Sequence, residues 1–450
     1  MNRRQGHHQG DQGHEGIVLD STLSLWTHGY AWLPDLRRRT GDKPVRTRLL
    51  GRPTTAVHGR EAVRFFYDEQ HVKRRSALPG PVLDTLFGHG AVHTLDGQAH
   101  GARKALFLSL FKDENAVAAL VERALSEWDR AAGSWAERPR IELFTESSRV
   151  ITRAVCAWAG IPLRDEPDGP DGPDGRDGPE AGDHADDEVR RLAADLVAMV
   201  DGFATAGPRH WRARHARARE EGWLGTLIEN VREKEQACEG EAERGRSALE
   251  SVALHRDEAG DLLDTHTAAV EVLNIIRPTV AVAWFVTFAA HALHRWPHLG
   301  EALRKGDPAY AEAFAHEVRR FYPFVPFVGG LAAEDLQWHG TTIPADSVVL
   351  LDIYGNNHDP ELWSDPYAFD PSRFLGSTPA SDELIPQGGD EAATGHRCPG
   401  EDITVALLQA LATRLASMNY LVPQQDMTIP LRRMPTRPRS GFVLSVHRPG

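Results

Sequence analysis

Apolar side chains recur at helical spacing over most of the chain. This period predicts helices over residues 113–135, 141–158, 189–205, 211–237, 261–295 and 310–321. Alternating or β-branched segments are fewer, and they predict strands over residues 45–50, 54–58 and 347–357. The sequence therefore predicts a mainly α protein with small β-sheets.

Two polar stretches interrupt this pattern. Residues 1–16 contain no apolar run, and we expect a disordered polar arm before a single domain over residues 17–450. Residues 165–188 repeat Pro-Asp-Gly and are strongly acidic, so their burial cannot offset the entropy of ordering them. We expect a disordered acidic insertion on the surface of that domain.

Charge and cysteine content restrict the class of protein further. The formal net charge is −13, but residues 164–188 alone carry −9, and the near-neutral remainder predicts no nucleic-acid surface. Three cysteines and an N-terminus without a secretory signal favour a cytoplasmic protein. The most apolar window, residues 279–293, is short for a bilayer, so we expect a buried core helix and no transmembrane segment.

The segment "TGHRCPGED" around Cys398 is the local pattern most indicative of chemistry. An apolar helix is expected directly after it. The N–H groups at a helix N-terminus stabilise a thiolate and lower its pKa, and glycines allow a flat, bulky ligand to approach the backbone. A thiolate that ligates haem iron needs this setting. A buried structural cysteine after a tight turn is the alternative.

Two further segments reduce the weight of that alternative. Glu317 and Arg320 stand three residues apart in "HEVRRFYP", which by itself indicates only an ion pair on a helix. Arg373 follows in "FDPSRF". The order Glu-x-x-Arg, Pro-x-Arg-Phe and glycine-rich cysteine loop is much less common than any one of its parts.

This order resembles that of the cytochrome P-450 superfamily, from about residue 17 onward. The resemblance implies one domain with haem b between a long distal helix and the proximal helix of the cysteine loop. It also implies that Cys398 ligates the haem iron. Glu317, Arg320 and Arg373 are then similar to the structural triad behind the haem. The residues similar to the family's haem-propionate contacts are His100, Lys104 and His396.

The cysteine loop differs from the common family pattern. Glu391 stands seven residues before Cys398, where most members have Phe, and Thr394 stands four before it, where most have Gly. The loop from Gln387 also looks longer than usual. Redox partners normally dock behind this loop, so the differences argue against reductase-driven chemistry.

The predicted distal helix contains a second difference. Most of the superfamily relays protons through an acid followed by Thr, but Arg277 and Pro278 stand at this place. Arg stays protonated, and Pro has no hydroxyl or N–H. No acid lies three or four residues from Arg277, and Glu271, six residues back, is expected on a different face. The guanidinium therefore needs a partner from elsewhere in the fold or from the ligand. Pro278 is expected to kink the helix over the iron.

An Arg-Pro pair at this position resembles the fatty-acid peroxygenase branch of the superfamily. That resemblance implies that hydrogen peroxide oxidises a long-chain fatty acid at C2 or C3, without a reductase. Arg277 would bind the fatty-acid carboxylate, which then acts as the acid–base group. His93 resembles the histidine of members that decarboxylate fatty acids to terminal alkenes, and a loop histidine without a chemical role is the alternative. Phe87 and Phe203 resemble residues lining the substrate channel, although apolar packing would also explain them.

Two other functions remain open at this point. The first is a conventional, reductase-dependent haem-thiolate monooxygenase, against which the missing acid–alcohol pair argues. The second is a non-catalytic protein that binds haem or fatty acids. Turnover of hydrogen peroxide would exclude the second function.

Overall fold

The structure, a computed structural model, describes residues 20–41, 43–163, 179–203, 205–237, 245–392 and 395–447. The predicted polar arm over residues 1–16 and residues 165–178 of the predicted acidic insertion lie outside these ranges. Residues 179–188 of the same insertion form the first turns of a helix. Acidic residues favour the first turns of a helix, and Asp186 also forms an ion pair with Arg153 at 2.5 Å.

Helices dominate the described residues, as the apolar period predicts. In chain order they are α1 Thr22–His28, α2 Trp32–Thr40, α3 Arg60–Tyr67, α4 Gly80–Val82, α5 Gly97–Phe111, α6 Glu114–Trp135, α7 Leu143–Ala159, α8 Pro179–Asp201, α9 Pro208–Ala237, α10 Ala248–Ala253, α11 Thr265–Val280, α12 Val282–Arg295, α13 His298–Arg304, α14 Pro308–Phe321, α15 Ile353–Asn357 and α16 Glu401–Ser417. Short 3-10 or π-helical turns cover Gly29–Ala31, Leu83–Phe87, Val92–Thr94 and Pro371–Phe374. The helix expected directly after Cys398 is α16.

The strands form small sheets, which confirms the predicted fold class. They are β1 Val45–Leu49, β2 Arg52–Val57, β3 Val72–Lys73, β4 Ile141–Glu142, β5 Phe327–Ala332, β6 Leu336–Trp338, β7 Thr341–Ile343, β8 Val348–Asp352, β9 Tyr420–Leu421 and β10 Val443–Val446. One sheet has the order β1-β2-β8-β5-β3, another β4-β10-β9, and β6 pairs with β7. Strands β2 and β8 are parallel, with Thr54 opposite Val348.

Two predicted elements change type along their length. The strand expected over residues 347–357 ends at Asp352, whose carboxylate accepts a hydrogen bond from Gly355 N at 2.8 Å and caps α15. The helix expected over residues 141–158 begins with the two residues of β4 before α7. In both cases the apolar run continues across the boundary, so periodicity alone does not locate it.

The long apolar helix predicted over residues 261–295 is α11 followed by α12. Asp264 caps α11 by accepting a hydrogen bond from Thr267 N at 2.9 Å. Pro278 lies inside α11, and the chain turns at Ala281, between the two helices. The interruption therefore comes three residues after the proline, which itself lacks the N–H that would pair with the carbonyl of Asn274.

Helices α11 and α12 form the centre of the main hydrophobic core. Thr265–Arg295 is long and apolar enough to cross a membrane by composition, but 94% of its most apolar window is buried inside the protein. Glu271 and Arg277, the two charged residues of α11, are buried, and each therefore needs a partner or a function.

Candidate active site

Arg277 lies on α11 with 5% of its surface exposed. Its Nη2 donates a hydrogen bond to Asn274 Oδ1 at 3.0 Å, and its Nε is buried without a hydrogen-bond partner. Burial, and then the positive charge of Arg217, lower the pKa of Arg277 to about 9, while the Cys398 thiolate acts in the opposite direction. The guanidinium is thus still charged at neutral pH, and no described carboxylate forms an ion pair with it.

Glu271 is connected to Arg277 through Asn274. Glu271 Oε2 accepts a hydrogen bond from Asn274 Nδ2 at 3.0 Å, and Asn274 in turn accepts one from Arg277. Glu271 Oε1 accepts from Arg103 Nη1 at 2.7 Å and from Val92 N at 2.8 Å. Glu271 forms no described ion pair with Arg277, but Asn274 bridges the two positions in steps of three residues.

The segment that contains Phe87 and His93 faces Arg277. The Phe87 ring centroid lies 5.9 Å from Cζ of Arg277, and the rings of Phe87 and His93 are 4.5 Å apart. His93 Nδ1 is buried without a hydrogen-bond partner. Burial, and then the charge of Arg277, lower the pKa of His93 to about 3. His93 is consequently neutral at physiological pH and can donate or accept a hydrogen bond there.

Arg217 on α9 holds the same segment from the other side. Its Nη1 and Nη2 donate hydrogen bonds to the carbonyl oxygens of Leu86 at 2.9 Å and Phe87 at 3.1 Å, and its Nε pairs with Glu221 at 2.6 Å. Gly88 has a φ of +87°, and a Cβ at this position would collide with the Arg217 guanidinium. Glycine is therefore required for this close approach.

Cys398 lies just before the N-terminus of α16 and is half-buried. Its backbone N donates to Gln387 O at 3.2 Å, and Gln387 Nε2 lies 3.9 Å from Cys398 Sγ. Burial raises the pKa of the Cys398 thiol, although the N–H of Gly400 and the charges of Lys104 and Arg319 act to lower it. The expectation of a lowered pKa is wrong for the protein alone, because desolvation outweighs the helix terminus.

A buried ion-pair network supports the cysteine loop. Glu401, the first residue of α16, pairs with Arg319 and with Arg397, the latter at 2.5 Å. Arg319 Nε also donates to Gln387 Oε1 at 3.1 Å. Burial would raise the pKa of Glu401, but the charges of the two arginines lower it to about 2. The loop is thus anchored to α14 and α16 by charges that are fully paired.

His100, Lys104 and His396, which resemble the family's propionate contacts, lie close together next to this loop. Lys104 Nζ donates to the carbonyl oxygens of Gly395 and Arg397, the latter at 3.0 Å, and the rings of His100 and His396 stack at 3.9 Å. Burial lowers the pKa of Lys104 to about 8 and that of His100 to about 4. Burial, and then the charge of Arg74, lower the pKa of His396 to about 2. Lys104 is therefore the charged member of this group at neutral pH, and the two imidazoles are neutral.

These residues fit a haem. Lys104 and the imidazoles of His100 and His396 suit a dianionic pair of propionates, because a bound anion would raise the pKa of all three groups and favour their charged forms. The Cys398 sulfur, flanked by the Gly400 N–H, suits ligation to iron. His396 also contacts Glu69 Oε1 at 3.2 Å, so one carboxylate already faces this group.

Glu317 and Arg320 of α14 come together with Arg373 of the turn Pro371–Phe374. Glu317 accepts from Arg320 Nε at 2.7 Å and from Arg320 Nη2 at 2.8 Å, and both side chains are fully buried. Arg373 Nε lies farther away, 3.5 Å from Glu317 Oε1. The i, i+3 spacing in the sequence predicts the Glu317–Arg320 pair, whereas Arg373 was implied by the family resemblance alone.

Phe203 is the predicted site residue that the structure does not join to the others. It lies half-buried just after α8, and its backbone N donates to Val200 O at 3.2 Å. None of the described aromatic contacts links it to Phe87, His93 or Arg277.

Sequence reasoning missed Arg103, Asn274 and Arg217. Arg103 is 168 residues from its partner Glu271, a separation that local patterns do not report. Asn274 offered a usable signal, because a polar side chain three residues from a buried arginine on the same helix face can bond to it.

Comparisons with known proteins agree with this geometry. Residues 307–435 match the family model described as Cytochrome P450. A solved structure of cytochrome P450SP alpha in complex with (R)-ibuprophen is 39% identical, with a TM-score of 0.85 over 95% of this chain and 98% of that chain. A variant of cytochrome P450 OleT in complex with arachidonic acid is 33% identical, with a TM-score of 0.85 over 96% of this chain and 98% of that one.

Among curated proteins, cytochrome P450 4A7 of Oryctolagus cuniculus is 29% identical over 156 residues, which is 34% of this chain. The match spans 29% of the length of that relative. The solved structures therefore give the likeness over the whole length, and the curated relatives give it over segments.

Proposed function

Because the chain belongs to the cytochrome P450 family, we propose that it is a haem-thiolate peroxygenase that oxidises long-chain fatty acids with hydrogen peroxide. The observation that supports this proposal best is Arg277, a buried guanidinium with no described carboxylate partner. A similar solved protein is complexed with arachidonic acid. A fatty-acid carboxylate would supply the anion that Arg277 lacks.

The haem would be held by two groups of residues. Cys398 would ligate the iron, and His100, Lys104 and His396 would meet the propionates. When bound, the haem iron supplies the activation of hydrogen peroxide and the oxidising equivalents for attack on a C–H bond.

Arg277 would bind the substrate carboxylate through both oxygens, since its Nε is already available. Neither Arg277 nor Pro278 can relay a proton, so the carboxylate at the guanidinium would accept a peroxide proton on one oxygen and return it. Because Pro278 has no N–H, the carbonyl of Asn274 lacks its helical hydrogen bond close to this carboxylate. The chain's own residues thus position an acid–base group that the substrate brings.

Binding at the carboxylate would place C2 and C3 of the acyl chain nearest the reacting centre. A fatty acid and one hydrogen peroxide then give a 2- or 3-hydroxy acid and one water. In the decarboxylating outcome they give a terminal alkene one carbon shorter, carbon dioxide and two waters. Phe87, near Arg277, would contact the chain, whereas we propose a channel role for Phe203 only at the far end.

His93 would influence the ratio of these two outcomes. Its pKa of about 3 keeps it neutral, so it would act as a hydrogen-bond donor beside Phe87 rather than as a cationic acid. His93→Gln would retain a donor without a ring, and we expect it to change the ratio of alkene to hydroxy acid. In the wild type, the ratio of alkene to hydroxy acid should be constant from about pH 6 to pH 8, because His93 does not change its protonation state in that range.

The test uses the purified, haem-loaded protein with palmitic acid and hydrogen peroxide, without NADPH. We expect hydroxy acids or an alkene by gas chromatography–mass spectrometry. Arg277→Ala should abolish turnover while haem stays bound, and Arg414→Ala, which changes an exposed arginine, should leave turnover unchanged. The proposal is wrong if product forms only with NADPH and a reductase, since the protein would then be a conventional monooxygenase.

We also propose, from the same reasoning, that the enzyme works without a reductase in the cytoplasm. Support for the first part is the replacement of the proton-relay pair by Arg277 and Pro278. Support for the second is the cysteine content and the burial of the most apolar helix. Product formation in cells that lack an added reductase would test both parts together.

A further inference from the structure

We propose that Glu271 is a positioning residue: by fixing the orientation of the Asn274 amide, it sets the geometry in which Arg277 receives a carboxylate. The proposal rests on the proposed function and adds to it a residue that does not touch the substrate. It concerns three side chains on one helix, Glu271, Asn274 and Arg277, at intervals of three residues on α11.

Both oxygens of Glu271 have partners, and its side chain is 0% exposed. Oε1 accepts from Arg103 Nη1 and from Val92 N, so the carboxylate ties α11 to α5 and to the turn that contains His93. Oε2 accepts from Asn274 Nδ2. Three donors on three different elements leave the Glu271 carboxylate little rotational freedom.

The Asn274 amide consequently has a defined polarity. Its Nδ2 donates to two acceptors, Glu271 Oε2 at 3.0 Å and the carbonyl oxygen of Phe87 at 3.2 Å. A carboxylate and a carbonyl accept only, so the NH2 group must face them. The Oδ1 atom must then face Arg277 Nη2, which donates to it at 3.0 Å. Glu271 thus acts on Arg277 by selecting one of the two amide orientations.

The charges support the same role. Arg103 forms an ion pair with Glu271 at 2.7 Å, so the negative charge of Glu271 is balanced on the side away from Arg277. The burial that raises the pKa of Glu271 is opposed first by Arg103 and then by Asn274. Arg277 is oriented by a neutral amide and keeps its own charge for an incoming anion. A carboxylate in direct contact with Arg277 would orient it equally well but would compete with the substrate.

Glu271→Gln tests this polarity with almost no change in size. A glutamine can still accept from Arg103 and Val92 with its oxygen, but its NH2 group then faces the NH2 group of Asn274. Two donors cannot bond to each other, so Asn274 would flip and present its NH2 group to the guanidinium. Arg277 would lose the hydrogen bond from its Nη2 to Asn274 Oδ1 but would keep its positive charge.

The experiment measures the dissociation constant of palmitate for the haem-loaded protein from optical difference spectra, for wild type and Glu271→Gln. We expect binding about 10- to 100-fold weaker in the variant, as for the loss of one hydrogen bond to a charged group. Imidazole, which needs the haem but no carboxylate site, should bind with an unchanged dissociation constant. A merely structural role would weaken both ligands and reduce the haem content.

Two further variants keep the test informative if Glu271→Gln folds poorly. Asn274→Ala removes the acceptor of Arg277 but leaves Glu271 with Arg103 and Val92, and it should weaken palmitate binding to a similar degree. Glu220→Gln neutralises another fully buried carboxylate, on α9 beside Arg191, and should leave palmitate binding as in the wild type. On an Arg277→Ala background, Glu271→Gln should add no further loss.

The outcomes separate this proposal from the proposed function. If wild type binds and oxidises palmitate but Glu271→Gln and Asn274→Ala bind it equally well, the positioning role is wrong and the peroxygenase function stands. If Glu271→Gln weakened palmitate binding further on the Arg277→Ala background, the positioning role would also be wrong, because Glu271 would then affect binding by a route other than Arg277. If wild type neither binds nor oxidises palmitate, the function itself is wrong.

Discussion

Arg277 and Arg320 are both buried arginines, but the protein surrounds them differently. All five N–H donors of Arg320 have acceptors: two on Glu317, and one each on the carbonyls of Asn357, Pro366 and Ala368. Arg277 has one described bond, to a neutral amide, and a buried Nε without an acceptor. The first arginine completes the fold, and the second is incomplete without a ligand.

This difference is a physical criterion for function. Removing a guanidinium from water costs several kcal/mol unless charges and hydrogen bonds replace the lost hydration. At Arg320 the fold supplies that replacement, whereas at Arg277 it supplies orientation only. We therefore expect substitutions at the two sites to change the free energy of unfolding in opposite directions.

The largest effect is expected at the buried ion pair of Glu317 and Arg320. Arg320→Met leaves the fully buried Glu317 carboxylate with the N–H of Asp370 at 2.8 Å and, as its nearest remaining charge, the more distant Arg373. The variant should lower the free energy of unfolding by about 3–5 kcal/mol. Urea unfolding of the haem-loaded protein measures this. The control is Arg414→Met, whose exposed ion pair with Asp129 should contribute no more than about 1 kcal/mol. Equal effects of the two variants would contradict the comparison.

Acid should weaken the proximal network next. The pKa of Glu401 is lowered to about 2 from its ordinary 4.5, so its contribution is complete above pH 4.5 and is lost as the pH falls towards 2. A shift of this size corresponds to about 3 kcal/mol. Glu401→Gln should therefore destabilise the protein by that amount at pH 7 and by little near pH 2. A difference independent of pH would mean that the ion pairs are not responsible.

Replacing the distal arginine should have a smaller effect of opposite sign. Arg277→Met removes the desolvated charge and fills a similar volume, so without fatty acid the free energy of unfolding should rise by about 2 kcal/mol. Thermal unfolding with and without palmitate provides the measurement, and only the wild type should gain stability from palmitate. Destabilisation by Arg277→Met would show that the fold itself satisfies this arginine.

The smallest effect is expected at the third member of the proximal group. Arg373 donates to the carbonyls of Ser364 at 2.5 Å and Asp365 at 3.1 Å, but its Nε has no acceptor and lies 3.5 Å from Glu317. Arg373→Lys should lower the free energy of unfolding by about 1 kcal/mol. Urea unfolding of Arg373→Lys and Arg320→Met under the same conditions measures both effects. An equal loss of unfolding free energy in the two variants would contradict the lesser role of Arg373.

Local sequence patterns were sufficient to predict the partner of Arg320 but insufficient to predict that of Arg277. Glu317 and Arg320 pair within one helical turn, so their spacing predicts the contact. For Arg277 the same spacing rule finds no acid at three or four residues, and it leaves open whether the partner comes from elsewhere in the fold or from the ligand. The actual connection runs through Asn274 to Glu271, and then to Arg103 on another helix. A polar relay between charged residues is invisible to a rule that considers charged pairs only.

The boundaries of elements show the same limit. The apolar run over residues 347–357 predicts a strand, yet Asp352 accepts a bond from Gly355 N and starts a helix. The Asp-x-x-Gly spacing contained that information, because Asp is a preferred helix cap. By contrast, nothing local indicates that α11 and α12 separate at Ala281 rather than at Pro278.

Gly88 gives the site a mechanical property as well as a shape. Because Gly88 has no side chain, Arg217 of α9 can approach closely and donate hydrogen bonds to the carbonyl oxygens of Leu86 and Phe87. Any outward swing of α9 would break those bonds and carry a positive charge away from Arg277. An anion bound at Arg277 would also attract the Arg217 guanidinium, and would thereby stabilise the hydrogen bonds that hold α9 to Leu86 and Phe87.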